Sequence, residues 1–205
     1  MEDDGCFLHQ VFLGRSMNDV YRGEQYAGSL TPDGSTLAFY YSNWEGAGAF
    51  DIYLMEITGE AEPQVLISTT ANEVHPQISP DGKWLAYASS ESGQFEVYAQ
   101  AFPTLGEKIP LSRDGGLQPR WSANGRELFY QNGDAIFVVD VGGGDRLEPG
   151  TPQLLYEADG IQSYDVLPSG EIIVVQRIAS GGRHTELELI LNWFTELERL
   201  VPIDQ

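Results

Sequence analysis

Cysteine and basic side chains are scarce in this chain of 205 residues. Cys6 is its single cysteine, so an internal disulfide is excluded and stability must come from packing. Because Cys6 lies in a β-like stretch, we interpret it as a buried structural thiol. Lys and Arg number 11 against 31 Asp and Glu, which gives a net charge of -20. Such a surface would repel a phosphate backbone, so nucleic acid is not an expected partner.

Long apolar runs are also missing. No stretch approaches the roughly 18 to 20 apolar residues that a membrane helix needs. The first residues, MEDDG, lack the basic and apolar regions of a secretory signal. We therefore expect a soluble chain without membrane insertion, whose compartment the composition leaves open.

Sharp catalytic motifs are absent from the sequence as well. It contains no Gly-x-Ser-x-Gly elbow, no His-Glu-x-x-His zinc helix, no Gly-x-x-x-x-Gly-Lys phosphate loop and no kinase catalytic loop. The glycine run at 142–144 lacks a following Lys and a helix, so we interpret it as a loop between strands. These absences favour a non-enzymatic protein.

A turn phrase is repeated along the chain. It reads LTPDG at 30–34, ISPDG at 78–82, WSANG at 121–125 and VLPSG at 166–170. Pro presets φ at the second turn position, Asp tolerates the bridge region, and Gly takes positive φ without a clash, so backbone chemistry specifies the turn. The spacing of the copies, about 45 residues, is the length of one four-stranded propeller blade.

Apolar runs of strand length follow the turn phrases, among them TLAFY at 36–40 and WLAYA at 84–88. The runs IFVV at 136–139 and IIVV at 172–175 are apolar at consecutive positions, so both faces of these strands must be covered. Blades sandwiched between neighbours provide that cover. An open β-sandwich is the alternative, but the recurrent turn favours an all-β fold, a β-propeller with about four four-stranded blades in this chain.

We predict one domain over residues 1–205. Its blades would span about residues 26–70, 74–113, 117–157 and 161–191. The fourth blade has no obvious fourth strand, and a spare strand at 6–13 could complete it and close the ring. The apolar spacing of residues 192–200 predicts a short C-terminal helix with Asn192 as its N-cap.

The strings QISPDGKWLAY at 77–87 and FDIY at 50–53 resemble the "WSPDG" and "DIY" phrases of the PD40, or TolB-like, β-propeller repeats. The ending LNWFTEL at 191–197 resembles the close of such propellers at the C-termini of bacterial serine/threonine kinases and related regulators. The resemblance spans about residues 26–200. It implies the fold rather than an activity, and it is compatible with a periplasmic or other extracytoplasmic location.

The chain departs from the family pattern in two ways. The third turn has Ala123 and Asn124 in place of Pro and Asp, and the fourth has Ser169 in place of Asp. TolB-like propellers usually carry about six blades, so the resemblance implies either a small closed ring or part of a larger one.

The family geometry implies that the first strand of each blade lines the axis and that the loop before it forms a funnel mouth. The residues there would be Tyr26, Glu73, His75, Gln118, Arg120, Gln162 and Tyr164. Their aromatic rings, imidazole, guanidinium and amides suit a polar ligand or a peptide, although simple solvation or packing at the axis also accounts for them. Arg120 could clamp a ligand carboxylate or pair with an acid of the neighbouring blade.

Metal ions are a weaker expectation. His9, His75 and His184 lie in separate repeat units without the spacing of zinc ligands. Calcium needs only oxygens, and a central channel could gather carboxylates from Glu73, Asp114 or Asp165. We expect no cofactor, with calcium as the alternative.

The leading hypothesis is a non-enzymatic module for protein–protein interaction or ligand sensing, whose partner is a protein or a small polar ligand. A second hypothesis is a hydrolase or lyase with a divalent cation in the propeller channel. A third is a structural piece of a larger propeller, which a homo-oligomer would complete.

Overall fold

The computed structural model describes residues 23–43, 49–57, 62–177 and 186–190, and every regular element in these ranges is a β-strand. The strands are β1 (Gly23–Leu30), β2 (Thr36–Asn43), β3 (Phe50–Glu56), β4 (Gln64–Ile67), β5 (Glu73–Ile78), β6 (Trp84–Ser89), β7 (Glu96–Ala101), β8 (Ile109–Pro110), β9 (Leu117–Trp121), β10 (Glu127–Asn132), β11 (Ala135–Asp140), β12 (Gln153–Glu157), β13 (Ile161–Val166), β14 (Ile172–Gln176) and β15 (Glu186–Ile190). Within these ranges, nothing helical is long and apolar enough to cross a membrane. The predicted strand at 6–13 and the predicted helix at 192–200 lie outside the described residues.

Consecutive strands pair antiparallel into four sheets, each in chain order. Sheet 1 contains β1 to β4, sheet 2 contains β5 to β8, sheet 3 contains β9 to β12, and sheet 4 contains β13 to β15. The strands predicted at 36–40, 84–88 and 136–139 are confirmed by β2, β6 and β11. The first strand of sheet 2 begins at Glu73, because its pairing with β6 continues beyond a bulge to Glu73 and Ser89.

The repeated turns are fixed by side chains as well as by the backbone. In the second copy, Ser79 Oγ donates to Asp81 Oδ1 at 2.6 Å, and it accepts the N–H of Trp84 at 3.0 Å. Asp81 Oδ1 also accepts the N–H of Lys83 at 3.1 Å. Gly82 closes the turn with φ 72°, a conformation that a side chain would strain. The side chains of Ser79 and Asp81 are therefore bonded to each other and to the backbone N–H groups at the start of the next strand.

The first and third turns repeat this arrangement. Thr31 Oγ1 donates to Asp33 Oδ1 at 2.6 Å, and Ser122 Oγ donates to Asn124 Oδ1 at 2.9 Å. The hydrogen bonds from Thr31 and Ser35 lower the pKa of Asp33 to about 2. In the fourth turn Leu167 replaces the hydroxyl residue. This turn keeps the backbone bond from Gly170 N to Leu167 O at 2.9 Å but lacks that side-chain lock.

The first strands of the four sheets lie side by side in the order β1, β5, β9, β13. Hydrogen bonds tie each junction between these first strands. Ile78 N donates to Ser29 Oγ at 2.7 Å, Trp121 Nε1 donates to the carbonyl of Gln77 at 3.0 Å, and the Tyr164 hydroxyl donates to the carbonyl of Gln118 at 2.7 Å. The sheets are thus arranged one after another around a common inner edge.

Three apolar cores among the described residues are each shared by two consecutive sheets, while a fourth, around Leu37, Phe39 and Tyr41, belongs to sheet 1 alone. One core joins Ile52 of sheet 1 to Leu85 of sheet 2, a second joins Ala86 of sheet 2 to Leu128 of sheet 3, and a third joins Ile136 of sheet 3 to Ile172 of sheet 4. Successive residues of β6 contribute to different cores, which explains why both faces of that strand are apolar. The prediction that each sheet is sandwiched by its neighbours is confirmed for sheets 2 and 3.

Candidate functional site

A β-bulge interrupts the first strand of every sheet. In sheets 2 and 3 the bulge begins at His75 and Gln118, which have φ values of 55° and 51° and are each followed by Pro. Positive φ is uncommon for residues other than Gly and costs of order 1 kcal/mol or more. The two residues occupy equivalent positions, so the strain recurs along the inner edge of the molecule.

An aromatic row crosses the junction between sheets 1 and 2. We define it as Tyr26 of β1, Tyr40 of β2 and His75 of β5. Tyr26 stacks on Tyr40 with ring centroids 5.0 Å apart, and the edge of His75 meets Tyr40 at 5.3 Å. Phe50 packs edge-on against both tyrosines, at 6.0 and 5.7 Å. Tyr26 is 44% exposed, so the row runs from the surface into the interior.

The imidazole of His75 is held in its neutral form. Burial, and then the nearby positive charge of Arg120, lower the pKa of His75 to about 4. Its Nδ1 atom is buried and has no hydrogen-bond partner within the described part of the chain. At physiological pH the ring can therefore act as a neutral hydrogen-bonding group beside the aromatic row.

Arg120 connects this row to sheets 3 and 4. Its Nε lies 3.5 Å from Asp165 Oδ1 of β13, and its Nη1 donates to the carbonyl of Pro119 at 2.9 Å. The structure thus places Arg120 in the second of its two expected roles, beside an acid of the neighbouring sheet. Burial raises the pKa of Tyr40 to about 12, an effect that the charge of Arg120 opposes. From sheet 3, the guanidinium therefore lies within electrostatic range of residues on sheets 1, 2 and 4.

The other residues expected at the funnel mouth differ in exposure. Tyr164 is 3% exposed and belongs to the core between sheets 3 and 4, and Glu73 is fully buried. Neither presents its side chain to solvent in this structure. Gln162 is exposed, and its Oε1 accepts a hydrogen bond from Arg177 at 3.3 Å. Gln118 contributes its carbonyl to Tyr164.

Glu73 lies instead within electrostatic range of a second acid, the half-buried Asp51. Glu73 Oε1 accepts hydrogen bonds from Thr69 Oγ1 at 2.7 Å and Ser89 Oγ at 3.1 Å, while Asp51 accepts the backbone N–H of the same Thr69. Glu73 Oε2 and Asp51 Oδ1 are buried without a partner among the described residues. Burial raises the pKa of both carboxyl groups, and the charge of Asp51 adds to the shift at Glu73.

The carboxylates considered for calcium do not converge. Glu73 lies with Thr69 and Ser89, Asp165 lies with Arg120, and Asp114 lies beside Asn132 through its carbonyl. Across the described ranges, no group of three or more His, Cys, Asp or Glu side chains is arranged to hold a metal ion.

Sequence reasoning missed Tyr40 as part of the site. Tyr40 faces Tyr26 directly across the β1–β2 hairpin, in a register that is shifted by the bulge between Ala27 and Ser29. The signal was the symmetric position of the two tyrosines around the LTPDG turn. It could not be used without knowing which residue of β1 is bulged, because a shift of one residue moves side chains to the opposite face.

Antiparallel sheets of this length, placed in sequence around a common inner edge, define a β-propeller. Residues 7–190 match the family described as PD40, the TolB beta propeller domain, and the chain belongs to this family.

Comparisons with known proteins give the fold and little beyond it. An uncharacterised protein of Agrobacterium fabrum is 31% identical over 87 residues, which cover 42% of this chain and 29% of that protein. TolB from Acinetobacter baumannii has a similar structure, with a TM-score of 0.61 and 20% identity over 82% of this chain and 41% of its own. An oligogalacturonate lyase in complex with manganese has a TM-score of 0.56 and 16% identity, over 83% of this chain and 50% of its own. The chain therefore spans half or less of these relatives.

Proposed function

We propose that this chain is a non-catalytic recognition module, whose inner strands bind a polypeptide or small polar ligand that carries a carboxylate. The observation that carries the proposal is the aromatic row of Tyr26, Tyr40 and His75, which lies within electrostatic range of Arg120. Residues from sheets 1, 2 and 3 thereby contribute apolar area, a neutral imidazole and a positive charge to one region.

Tyr26 would supply the main apolar contact. One face of its ring is stacked on Tyr40, which fixes the orientation of the ring, while 44% of the residue is exposed. A rigid, partly exposed tyrosine loses little conformational entropy on binding, and tyrosine and arginine are enriched among residues that dominate binding energy. A ligand could therefore gain affinity here without a change in the protein.

Arg120 would supply the charge. Its contact with Asp165 is long for a charge-assisted hydrogen bond, and the Asp165 side chain is 69% exposed. Ion pairs of this exposure contribute about 0–1 kcal/mol. A ligand carboxylate could therefore replace Asp165 beside the guanidinium at small cost.

The proposal is tested with a pool of random short peptides that have free carboxyl ends. The pool is passed over immobilised protein, and the retained peptides are synthesised singly for titration. We expect Tyr26→Ala and Arg120→Gln each to weaken their binding about ten-fold or more, because each removes one of the two main contacts.

Leu154→Ala is the matched control, because Leu154 is 54% exposed on β12 of sheet 3. It should bind the retained peptides like the unchanged protein, and all three variants should keep their unfolding midpoints. Retained peptides that bind the Tyr26 and Arg120 variants with unchanged affinity would contradict the proposal, as would a pool from which nothing is retained.

A further inference from the structure

A separate cavity of about 270 Å³ lies at the junction between sheets 1 and 2, beside the first turn and away from the aromatic row. Its lining residues are Thr31, Thr36, Leu54, Glu56, Glu62, Gln64, Phe102 and Pro103. Sheet 1 and the turn that follows β1 provide most of the wall. Phe102 and Pro103, which follow β7, close it from sheet 2.

The polar part of this cavity is negative. Glu56 and Glu62 are its charged lining residues, and both are exposed. In the described part of the chain, the acids that pair with Lys or Arg are Glu91, Asp145, Glu148 and Asp165. Among the described residues, therefore, no Lys or Arg pairs with Glu56 or Glu62. Two such carboxylates at one cavity favour a positively charged ligand.

The apolar part determines what kind of cation fits. Leu54, Phe102 and Pro103 offer an aliphatic wall and an aromatic ring next to the carboxylates. A guanidinium group combines planar hydrogen bonding to carboxylates with stacking on aromatic rings, whereas an ammonium group is compact and strongly hydrated. The wall and the acids together suit arginine better than lysine.

The volume limits the size of the ligand. Sites for drug-sized molecules usually hold about 300–1,000 Å³, so this cavity suits a single side chain.

The walls of the cavity are also held in place. Thr31 is fixed by Asp33, the N–H of Phe102 donates to the carbonyl of Lys83 at 2.7 Å, and Phe102 packs against the core between sheets 1 and 2.

We propose that this cavity is a docking pocket for one arginine side chain of a partner polypeptide. The guanidinium lies between the carboxylates of Glu56 and Glu62 and against Phe102. The pocket is independent of the aromatic row, so the same protein contacts a partner at two places.

The probe is the blocked peptide acetyl-Gly-Arg-Gly-amide, titrated into the whole chain and followed by NMR and calorimetry. Its two controls replace Arg by citrulline, which has the same shape without charge, and by Lys. We expect saturable binding of the arginine peptide, with citrulline weaker by about ten-fold or more and lysine intermediate.

The double variant Glu56→Gln/Glu62→Gln should weaken binding of the arginine peptide about ten-fold or more. The matched control is Glu148→Gln, which removes an acid that is 78% exposed far along the chain. It should leave binding unchanged, and so should Tyr26→Ala, which separates this pocket from the aromatic row. Glu56 and Glu62 are both exposed, and an unchanged unfolding midpoint confirms that the double variant folds.

Three outcomes would overturn the proposal. The first is equal binding of the citrulline and arginine peptides, which would remove the role of charge. The second is equal loss of binding in the Glu148 variant, which would show general attraction to an acidic surface. The third is the absence of saturable binding by the arginine peptide.

Discussion

At the scale of single residues, Glu73 shows how a charge is accommodated inside the fold. Its side chain is fully buried. One carboxyl oxygen accepts hydrogen bonds from two hydroxyl groups, and the other oxygen has no partner among the described residues. Burial raises its pKa, so the folded state binds the carboxyl proton more tightly than the unfolded chain does. A buried polar group without a partner is costly, and neutralising it relieves that cost.

We predict that the stability of the protein falls as pH rises from the ordinary Glu value of 4.5 through the raised pKa of folded Glu73. A raised pKa stabilises the folded state below the unfolded value, and that contribution is lost on deprotonation. Glu73→Gln keeps an oxygen for Thr69 and Ser89 without the charge, so it should flatten this dependence. Urea unfolding at a series of pH values measures it.

Glu73→Leu is the matched control for this prediction. It is also uncharged, but it leaves the hydroxyls of Thr69 and Ser89 without their acceptor, at a cost of about 1–3 kcal/mol. Both variants lack the charge, so a pH dependence that persisted in either of them would show that the charge of Glu73 is not its cause.

Gly28 is a second residue whose identity the packing decides. A Cβ at this position would lie 2.5 Å from the carbonyl oxygen of Pro76 and 2.7 Å from that of Ala38. We predict that Gly28→Ala lowers the free energy of unfolding by about 1–3 kcal/mol, because backbone on both sides would have to move. Gly106→Ala is the control, since its Cβ would meet only Ala101 at 3.7 Å. Similar effects of the two substitutions on urea unfolding would refute the argument from close approach.

At the scale of elements, the turns after the first strands of sheets 1, 2 and 3 carry a side-chain lock, whose acceptors are Asp33, Asp81 and Asn124. Asn performs the role in the third copy, so an acceptor oxygen is needed and a charge is not. We predict that Asp33→Asn lowers the unfolding midpoint at pH 7 less than Asp33→Ala does, because Asn keeps the acceptor oxygen and loses only the charge. Differential scanning calorimetry of the two variants tests this, and equal midpoints would show that the lock contributes nothing.

The same turn predicts an acid dependence of the opposite sign to that of Glu73. The pKa of Asp33 is lowered from 3.8 to about 2, so its contribution is present above 3.8 and is lost as pH falls towards 2. Asp33→Asn should remove this part of the acid sensitivity. An unchanged acid-unfolding curve would argue against the lowered pKa.

The strands and turns could be predicted from the sequence because their signals are local. Apolar runs and the Pro-Asp-Gly phrase determine β2, β6 and the hairpins around them. The bulges at His75 and Gln118 could not be predicted, because the local sequence does not show which residue of a strand is left unpaired. The contact of Arg120 with Asp165 and the cavity between sheets 1 and 2 depend on how neighbouring sheets pack, so the sequence left two roles open for Arg120 and did not identify the cavity.

At the scale of the whole molecule, the chain covers only part of the solved structures that share its fold. It covers 41% of TolB from Acinetobacter baumannii and 50% of the oligogalacturonate lyase. Three of its described sheets have four strands and the last has three. Two predictions therefore stay. Residues 6–13 supply a fourth strand to sheet 4, or a second copy of the chain completes a larger ring. Light scattering of the purified chain distinguishes the two, because a second copy would double the mass.

The shared cores have a consequence for how the molecule comes apart. Leu85 and Leu128 are each packed in a core to which two sheets contribute. Removing a sheet at either end of the series exposes one such layer, whereas removing sheet 2 or 3 exposes two, so opening should begin at the ends and reach the centre last. Amide hydrogens in the central strands β6 and β10 would then exchange with solvent most slowly, and those of β2 and β14 sooner.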